Sequence, residues 1–167
     1  SEPVELPVPG ADFQGVHLLR SRSDAETIIG ELDEVQSAVV IGSSFIGMEA
    51  AASLRHRDID VSVVSLDKVP FERVFGQPVG RTFQRLHEKN GVAFHLGQQV
   101  ERIGGDGTAE SVILGDGTQL PCDLVLVGIG VGPATAFAES LDLDDDGGLQ
   151  TDGHRRVEER IFAAGDV

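Results

Sequence analysis

The sequence predicts an α/β fold with a parallel β-sheet and an inserted antiparallel β-meander. Two observations lead to this class. An apolar run at residues 38–41 stops at a glycine, and a segment of good helix formers at 46–56 and a second apolar run at 61–66 follow, which is the order of a βαβ unit. Gly-Asp-Gly sequences at 105–107 and 115–117 predict hairpin turns. The 167 residues, 40% of them apolar, suffice for one domain with its own core.

The N-terminal elements follow from proline spacing and from a capping pattern. Three prolines within residues 3–10 remove amide donors, so this stretch is predicted to be an extended connector. Residues 16–19 form a short predicted strand. Ser23 and Glu26 fit a capping box, which starts a predicted helix that runs to about Leu32.

A further helix and strand follow the βαβ unit. Val79, Phe83 and Leu86 mark one face of a helix, and the Asn-Gly pair at residues 90–91 suits its end. Residues 93–96 then form the third strand. Because a helical crossover joins parallel strands, we expect all three strands to lie parallel in one sheet.

The predicted meander begins at Gln98. A buried strand at residues 123–128 returns to the sheet, and the Gly-Val-Gly-Pro sequence at 130–133 ends it. After an acidic loop, residues 160–166 form one more short predicted strand.

The charge distribution argues against two classes of partner. The net charge is −15, and ten acidic residues but no Lys or Arg lie between Arg102 and Arg155. Such a surface repels nucleic acids and anionic lipids. The longest apolar runs are also far shorter than the roughly 20 residues that cross a bilayer. We therefore expect no nucleic-acid or membrane partner.

The cysteine and histidine content predicts neither a metal site nor a redox-active pair. Cys122 is the only cysteine, so an internal disulfide is excluded, which fits a cytoplasmic protein. Its place before a buried strand predicts an inert buried thiol. Residues 142–147 match the opening of a calcium loop, but its twelfth position is Gly153 rather than Glu, so a solvated acidic turn is favoured.

The candidate chemistry lies in the glycine turn of the βαβ unit. In the dinucleotide fingerprint G-x-G-x-x-G, the first glycine makes the turn, the second admits the pyrophosphate, and the third lets the helix pack on the strand. Gly42 and Gly47 match, and Ser44 stands at the middle position with a hydroxyl that can donate to phosphate. The turn predicts a Rossmann-like dinucleotide-binding domain. The alternative is a plain strand-to-helix turn.

Three segments resemble one protein family, in the same order along the chain. Residues 42–54 resemble its G-x-G-x-x-G-x-E-x-A segment, residues 127–135 its G-x-x-P segment, and residues 161–166 its flavin-binding A-x-G-D motif. The family is that of the FAD-dependent pyridine nucleotide-disulfide oxidoreductases. With Pro-Phe-Glu-Arg at 70–73 and a single cysteine, the chain is most similar to the ferredoxin and rubredoxin reductases and to apoptosis-inducing-factor-like proteins.

The resemblance implies hydride transfer from NAD(P)H to FAD, and then electron transfer to an acceptor, with no catalytic acid or base from the protein. It places Phe45 near the flavin face that the nicotinamide reaches, Glu49 and Gly130 near the nicotinamide, and Asp166 at the flavin. Ordinary packing is the alternative for Phe45, and a first-turn carboxylate favoured by the helix dipole is the alternative for Glu49. The predicted cofactor-binding residues are Gly42, Ser43, Ser44, Phe45, Ile46, Gly47, Glu49, Ser65, Asp67, Gly130 and Asp166.

The choice of coenzyme depends on the end of the second strand of the βαβ unit. Many NAD-binding relatives carry an acid there for the ribose hydroxyls, and this chain has Ser65. Asp67 would supply a carboxylate two residues later, whereas Ser65 and Lys68 would tolerate a 2′-phosphate. Because no arginine cluster stands near the strand end, NAD(H) is favoured over NADP(H).

The resemblance also implies parts that these 167 residues do not contain. Family members carry a FAD domain before this domain and a C-terminal domain after it, so FAD is expected only in a full-length protein. We expect residues 1–22 to connect to the FAD domain, residues 23–150 to bind NAD(P)H, and residues 151–167 to return with part of a FAD-binding motif. The expected partner is a ferredoxin-like or other electron acceptor, and the fragment alone is expected to be inactive.

Two other functions stay open from the sequence. A non-catalytic nucleotide-sensing or interaction module would keep the fold while Ser44 and Ser65 weaken the dinucleotide site. Methyl transfer from S-adenosylmethionine starts on a similar βαβ unit, but the meander and the Gly165-Asp166 pair disfavour it.

Overall fold

A computed structural model describes residues 1–138 and 140–165. The chain forms two compact units. The larger unit is Glu5–Ile129, and the smaller unit combines Ser1–Val4 with the described part of Gly130–Val167. The domain boundaries expected from the sequence stay a prediction.

The described residues contain short strands and three α-helices, which alternate from β2 to β5. In chain order these elements are β1 (Glu2–Pro3), β2 (Val16–Leu18), α1 (Arg22–Glu31), β3 (Ser37–Ile41), α2 (Phe45–Arg55), β4 (Asp60–Ser65), α3 (Glu72–Lys89), β5 (Val92–Leu96), β6 (Val100–Gly105), β7 (Ala109–Leu114), β8 (Gln119–Pro121), β9 (Leu124–Val127), β10 (Val131–Gly132), β11 (Arg156–Glu158) and β12 (Ile161–Phe162). Among the described helices, none is long and apolar enough to cross a membrane.

The larger unit is built on a five-stranded sheet in the order β2-β9-β3-β4-β5. Every pairing in it is parallel. The predicted βαβ unit, the third parallel strand and the returning strand are therefore confirmed. Strands β3 and β9 lie at the centre and are almost wholly buried, as expected for apolar runs covered on both faces.

Helix α1 begins two residues earlier than its sequence predicts. The cap is Ser21, whose hydroxyl accepts from the Asp24 amide at 3.1 Å, while the Asp24 carboxylate accepts from the Ser21 amide at 2.7 Å. The predicted capping box of Ser23 and Glu26 is wrong, because Ser21 is the N-cap and Ser23 lies within the helix. The Glu26 carboxylate accepts from the Arg22 guanidinium at 2.7 Å. Hydrogen bonds from the backbone amides of Ser21 and Arg20 lower the pKa of Asp24.

Helix α3 presents a different face to the core than the sequence predicts. Phe83 packs against the core, but Val79 and Leu86 are exposed. The inward face is centred on Gly80, which lies so close to the chain at Val69 that an added Cβ would contact that side chain. Without a side chain at Gly80 the helix can approach this closely, and this approach sets the rotation of the helix. The predicted end at residues 90–91 is confirmed, since Asn90 is the C-cap.

The larger unit has a core on each face of its sheet. Alternate residues of β3 and β9 point to opposite faces, which is the two-residue period of a strand. On one face the strands pack against α2 through a group that includes Val40, Leu126, Met48, Ala51 and Leu54. On the other face they pack against the meander through a group that includes Val39, Val125, Val112, Leu114 and Cys122.

The meander is confirmed as the antiparallel sheet β6-β7-β8. The second Gly-Asp-Gly sequence forms the turn between β7 and β8, where the Asp116 carboxylate accepts from the Thr118 amide at 2.9 Å. Cys122 is buried between the meander and the central sheet, as predicted. Burial, reinforced by the neighbouring Asp123 carboxylate, raises the pKa of its thiol to about 12.

The smaller unit contains two short antiparallel pairs, β1 with β10 and β11 with β12. Of the strand expected at residues 160–166, the structure contains the short β12 (Ile161–Phe162), and residue 166 lies outside the described residues. In the acidic segment, the Asp144 carboxylate accepts from the amides of Asp146 and Gly148, at 3.1 and 2.9 Å. These bonds form the acidic turn that the sequence favours over a calcium loop.

Candidate dinucleotide-binding site

The first glycine of the fingerprint makes a turn that requires glycine. Gly42 follows β3 with φ at 111°, and its amide donates to the Val64 carbonyl at 2.8 Å. A Cβ at this position would contact the carbonyl oxygen of Gly128, just past the end of β9. The turn is therefore held between the carboxyl ends of the two strands that flank β3, which is where ligands bind in parallel sheets.

The last glycine of the fingerprint lets α2 approach the turn. Gly47 is buried in the first turn of the helix, and a Cβ there would contact the Gly42 carbonyl oxygen. Helix and strand are packed against each other through backbone. This close approach brings the free amides at the start of α2 to the carboxyl edge of the sheet.

The two serines of the turn differ in their surroundings. Ser43 is buried, with its hydroxyl bonded to the Ser65 hydroxyl at 2.8 Å and its carbonyl accepting from the Phe71 amide at 3.0 Å. Ser44 is the exposed N-cap of α2, and its side chain makes no capping hydrogen bond. The side chain at the middle fingerprint position therefore faces solvent.

The next predicted residues line the start of α2. Phe45 is the first residue of the helix and is 49% exposed, and Ile46 is half-buried. Glu49 is exposed and is the fifth residue of the helix, so its alternative interpretation as a first-turn carboxylate is wrong, because the helix begins at Phe45 rather than later.

The end of β4 carries one ion pair and one carboxylate that accepts from a backbone amide. The Arg73 Nε lies 3.1 Å from the Asp67 carboxylate, and the Lys68 amide donates to the Glu72 carboxylate at 2.7 Å. Hydrogen bonds from the Gln77 amide group and from the Lys68 backbone lower the pKa of Glu72. The Ser65 hydroxyl, which accepts from the Asp67 amide at 3.2 Å, is buried below these charges.

The structure brings together the predicted residues that belong to the larger unit. Gly130 belongs to the smaller unit, where φ is 126° and its carbonyl accepts from the Val4 amide at 3.0 Å. Asp166 lies outside the described residues. Their predicted contacts with nicotinamide and flavin stay predictions.

Sequence reasoning missed three residues beside the glycine turn. The Arg73 guanidinium reaches the end of β4, and Phe71 and Phe75 form ring contacts with Phe45. The Pro-Phe-Glu-Arg sequence is a signal for Phe71 and Arg73, but spacing alone does not reveal which side chains turn back toward the strand end.

The sheet order, the glycine turn and the helix that starts at it define this chain as a Rossmann-like α/β domain of the dinucleotide-binding class. A family profile described as "Pyridine nucleotide-disulphide oxidoreductase" matches residues 1–167. The chain belongs to this family, as its three motifs indicate.

Similar proteins include electron-transfer reductases. Rhodocoxin reductase from Rhodococcus erythropolis is 38% identical over 96% of this chain and 38% of the relative. Apoptosis-inducing factor 3 from Mus musculus is 34% identical over 100% of this chain and 28% of the relative. The crystal structure of a ferredoxin reductase from Rhodopseudomonas palustris matches with a TM-score of 0.82 and 34% identity, over 86% of this chain and 36% of that one. The chain thus spans between about a quarter and two fifths of these proteins.

Proposed function

We propose that this chain is the NAD(H)-binding domain of a flavin-dependent oxidoreductase, which passes hydride from NADH to FAD and electrons onward to a redox partner. The observation that carries the proposal is the backbone packing of Gly47 against Gly42 at the carboxyl end of β3. A side chain at either glycine would collide with backbone and push the turn and α2 apart, so the amides at the start of α2 would lose the position from which they meet an anionic pyrophosphate.

The fit of the pyrophosphate rests on local dipoles rather than on positive side chains. The amides of Phe45, Ile46 and Gly47 have no partner within the helix, because the first turn of an α-helix leaves its donors free. The Ser44 hydroxyl is exposed at the same end. Together these donors offset the phosphate charge even though the chain carries a net charge of −15.

The task of the protein in this reaction is to position the cofactors. The nicotinamide and the flavin supply the hydride chemistry when they are bound. The residues of this chain bind the dinucleotide and orient it, with Glu49 and Gly130 proposed at its nicotinamide end. No side chain of the chain is proposed to transfer a proton.

Charge balance at the end of β4 supports NAD(H) over NADP(H). Asp67 is paired with Arg73, and Lys68 stands beside Glu72, so the two cations there are matched by two carboxylates. A 2′-phosphate adds close to two negative charges and requires a surplus of cations. The Asp67 carboxylate is instead suited to accept hydrogen bonds from ribose hydroxyls.

The proposed partners follow from the similar proteins. We infer that the chain works together with a FAD domain and a C-terminal domain, that Asp166 contacts the flavin, and that the acceptor is a ferredoxin-like or other electron carrier. The name of the ferredoxin reductase relative supports this class of acceptor. Alone, the chain is expected to bind nucleotide without turnover.

Nucleotide titration of the 167-residue chain tests the proposal. The chain has no Trp and no Tyr, so the fluorescence of bound NADH is observed without protein background. We expect NADH to bind and to bind more tightly than NADPH. Absence of binding of both at millimolar concentration would contradict the proposal.

A second measurement separates the enzyme from a non-catalytic sensing module. In the longer, flavin-containing protein, NADH is expected to bleach the flavin absorbance under anaerobic conditions. A protein that holds FAD and binds NADH without flavin reduction would favour the sensing module instead.

A further inference from the structure

Four phenylalanine rings form a cluster beside the glycine turn. The Phe45 ring lies 5.1 Å from the Phe71 ring and 5.8 Å from the Phe75 ring, measured between centroids. The Phe71 ring also contacts Phe75 at 5.8 Å and Phe83 at 4.8 Å. All pairs are tilted or edge-to-face, the arrangements that aromatic rings prefer.

The rings differ in burial. The buried ring belongs to the core, whereas the exposed rings have room to change rotamer. Phe71 is 7% exposed and belongs to the core, whereas Phe45 and Phe75 are 49% and 45% exposed. The Phe71 backbone is left-handed, with φ at 57°, and its amide is bonded to the Ser43 carbonyl. Phe71 therefore anchors the turn, and Phe75 is the exposed ring against which Phe45 rests.

The sheet order gives the direction in which Phe45 is held. Strands β4 and β9 lie on opposite sides of β3. Phe71 and Phe75 follow β4 along the chain and stand at the start of α3, so the ring contacts of Phe45 are on the β4 side of the glycine turn.

The same strand order predicts which half of a bound dinucleotide lies on each side of the glycine turn. In a Rossmann-like site the residue at the end of the second strand meets the adenosine ribose, and the pyrophosphate lies over the glycine turn. Here the second strand is β4, so the nicotinamide half must extend toward the β9 side. A Phe45 ring held on the β4 side leaves that space free.

We propose that Phe75 is a positioning residue, which holds the Phe45 ring on the β4 side of the glycine turn and so keeps the nicotinamide subsite open. The inference rests on the proposed function and concerns the same site. In the absence of the Phe75 ring, Phe45 loses one of its two ring contacts and spends more time in other rotamers, where it competes with the nicotinamide.

Two ligands that differ only in the nicotinamide test this role. Calorimetric titration of the Phe75→Ala variant is expected to show a dissociation constant for NADH raised roughly three- to tenfold, the equivalent of one lost ring contact. ADP-ribose shares the adenosine and pyrophosphate but lacks the nicotinamide, so its affinity is expected to change less than about twofold. Phe75→Tyr keeps the ring and is expected to behave as the unchanged chain does.

The control and the contrary outcomes are distinct. Val79→Ala removes an exposed apolar side chain from the part of α3 beyond the kink at Gly76, outside the cluster, and should leave both ligands unaffected. Equal weakening of NADH and ADP-ribose in Phe75→Ala would show a merely structural role, and unchanged NADH affinity would overturn the inference directly. If Phe75→Ala does not fold, Phe75→Leu retains apolar volume without the ring. Failure of the unchanged chain to bind either ligand would overturn the proposed function itself.

Discussion

The Ser43 hydroxyl donates to the Ser65 hydroxyl across 2.8 Å, and both side chains are buried. This bond joins the glycine turn after β3 to the end of β4. The Ser65 oxygen also accepts from the Asp67 amide. The residue at the position of the ribose-binding acid is thus engaged within the protein, which leaves Asp67 as the carboxylate of the strand end.

The first prediction concerns this hydroxyl pair. Ser65→Ala leaves the buried Ser43 hydroxyl without its acceptor, so unfolding free energy should fall by about 1–3 kcal/mol. Urea unfolding measures it. Ser43→Ala combined with Ser65→Ala should cost less than the sum of the single changes, because the second change removes the orphaned group. Strict additivity would contradict the bond as described.

A glycine pair tests the backbone contact at the turn. Gly47→Ala places a Cβ against the Gly42 carbonyl oxygen, so we expect loss of NADH binding and a destabilisation of about 1–3 kcal/mol from overpacking. Calorimetry and chemical unfolding measure the two effects. The matched control is Gly30→Ala in α1, where a Cβ meets nothing within 4 Å and helix propensity should add about 0.5–1 kcal/mol. Unimpaired NADH binding by Gly47→Ala would refute the proposed cradle.

Asp67 is predicted to set coenzyme preference. Asp67→Asn removes the carboxylate and releases Arg73 from its ion pair, so the affinity ratio of NADPH to NADH should rise roughly tenfold. Titration with both nucleotides measures the ratio. Asp60→Asn is the matched control, since Asp60 pairs with Arg55 at 3.0 Å at the opposite end of β4. An equal shift in both variants would mean that general charge, not position, is responsible.

Cys122 is predicted to be unreactive in the folded chain. With its pKa raised to about 12, almost no thiolate exists near neutral pH, so a disulfide reagent should modify it far more slowly in the native protein than in denaturant. Absorbance of the released chromophore follows the reaction. Equal rates in both states would contradict the burial.

The same thiol predicts a loss of stability in alkali. Folding raises its pKa from the ordinary value of 9.0 to about 12. Above about pH 9 the unfolded chain releases this proton while the folded chain retains it. The unfolding free energy therefore falls with pH, with a contribution of up to about 1.4 kcal/mol per pH unit. Cys122→Ala should show a shallower decline between about pH 9 and pH 10, and parallel curves would refute the assignment.

The position of the α1 N-cap predicts different stability losses for alanine substitution at Ser21 and at Ser23. Ser21→Ala removes the hydroxyl that accepts from the Asp24 amide and should cost about 1 kcal/mol of unfolding free energy. Ser23→Ala, within the helix and exposed, should change stability by less than about 0.5 kcal/mol. Thermal and urea unfolding distinguish them. A larger loss of stability in Ser23→Ala than in Ser21→Ala would instead support Ser23 as the N-cap, as the sequence alone predicts.

Two errors of the sequence-based prediction, the N-cap of α1 and the inward face of α3, show which features local spacing does not determine. Both Ser21 and Ser23 have an acidic residue three positions later, so the spacing alone does not identify the cap. In the structure Ser21 and Asp24 form the capping box, and Glu26 bonds to Arg22. For α3, apolar spacing favours Val79 and Leu86, whereas the close approach at Gly80 turns those side chains to solvent.

The sequence by itself determined the succession of strands and helices, the glycine turn, the meander and the family, because each depends on residues close together along the chain: apolar runs, glycines in a fixed spacing and short turn sequences. Tertiary structure alone decided the contacts that shape the site. The Ser43–Ser65 bond and the ring contacts of Phe45 join residues that come together only when β3 and β4 align in parallel and α3 folds back beside α2. Strand register and helix packing fix these distances, so local sequence patterns do not predict them.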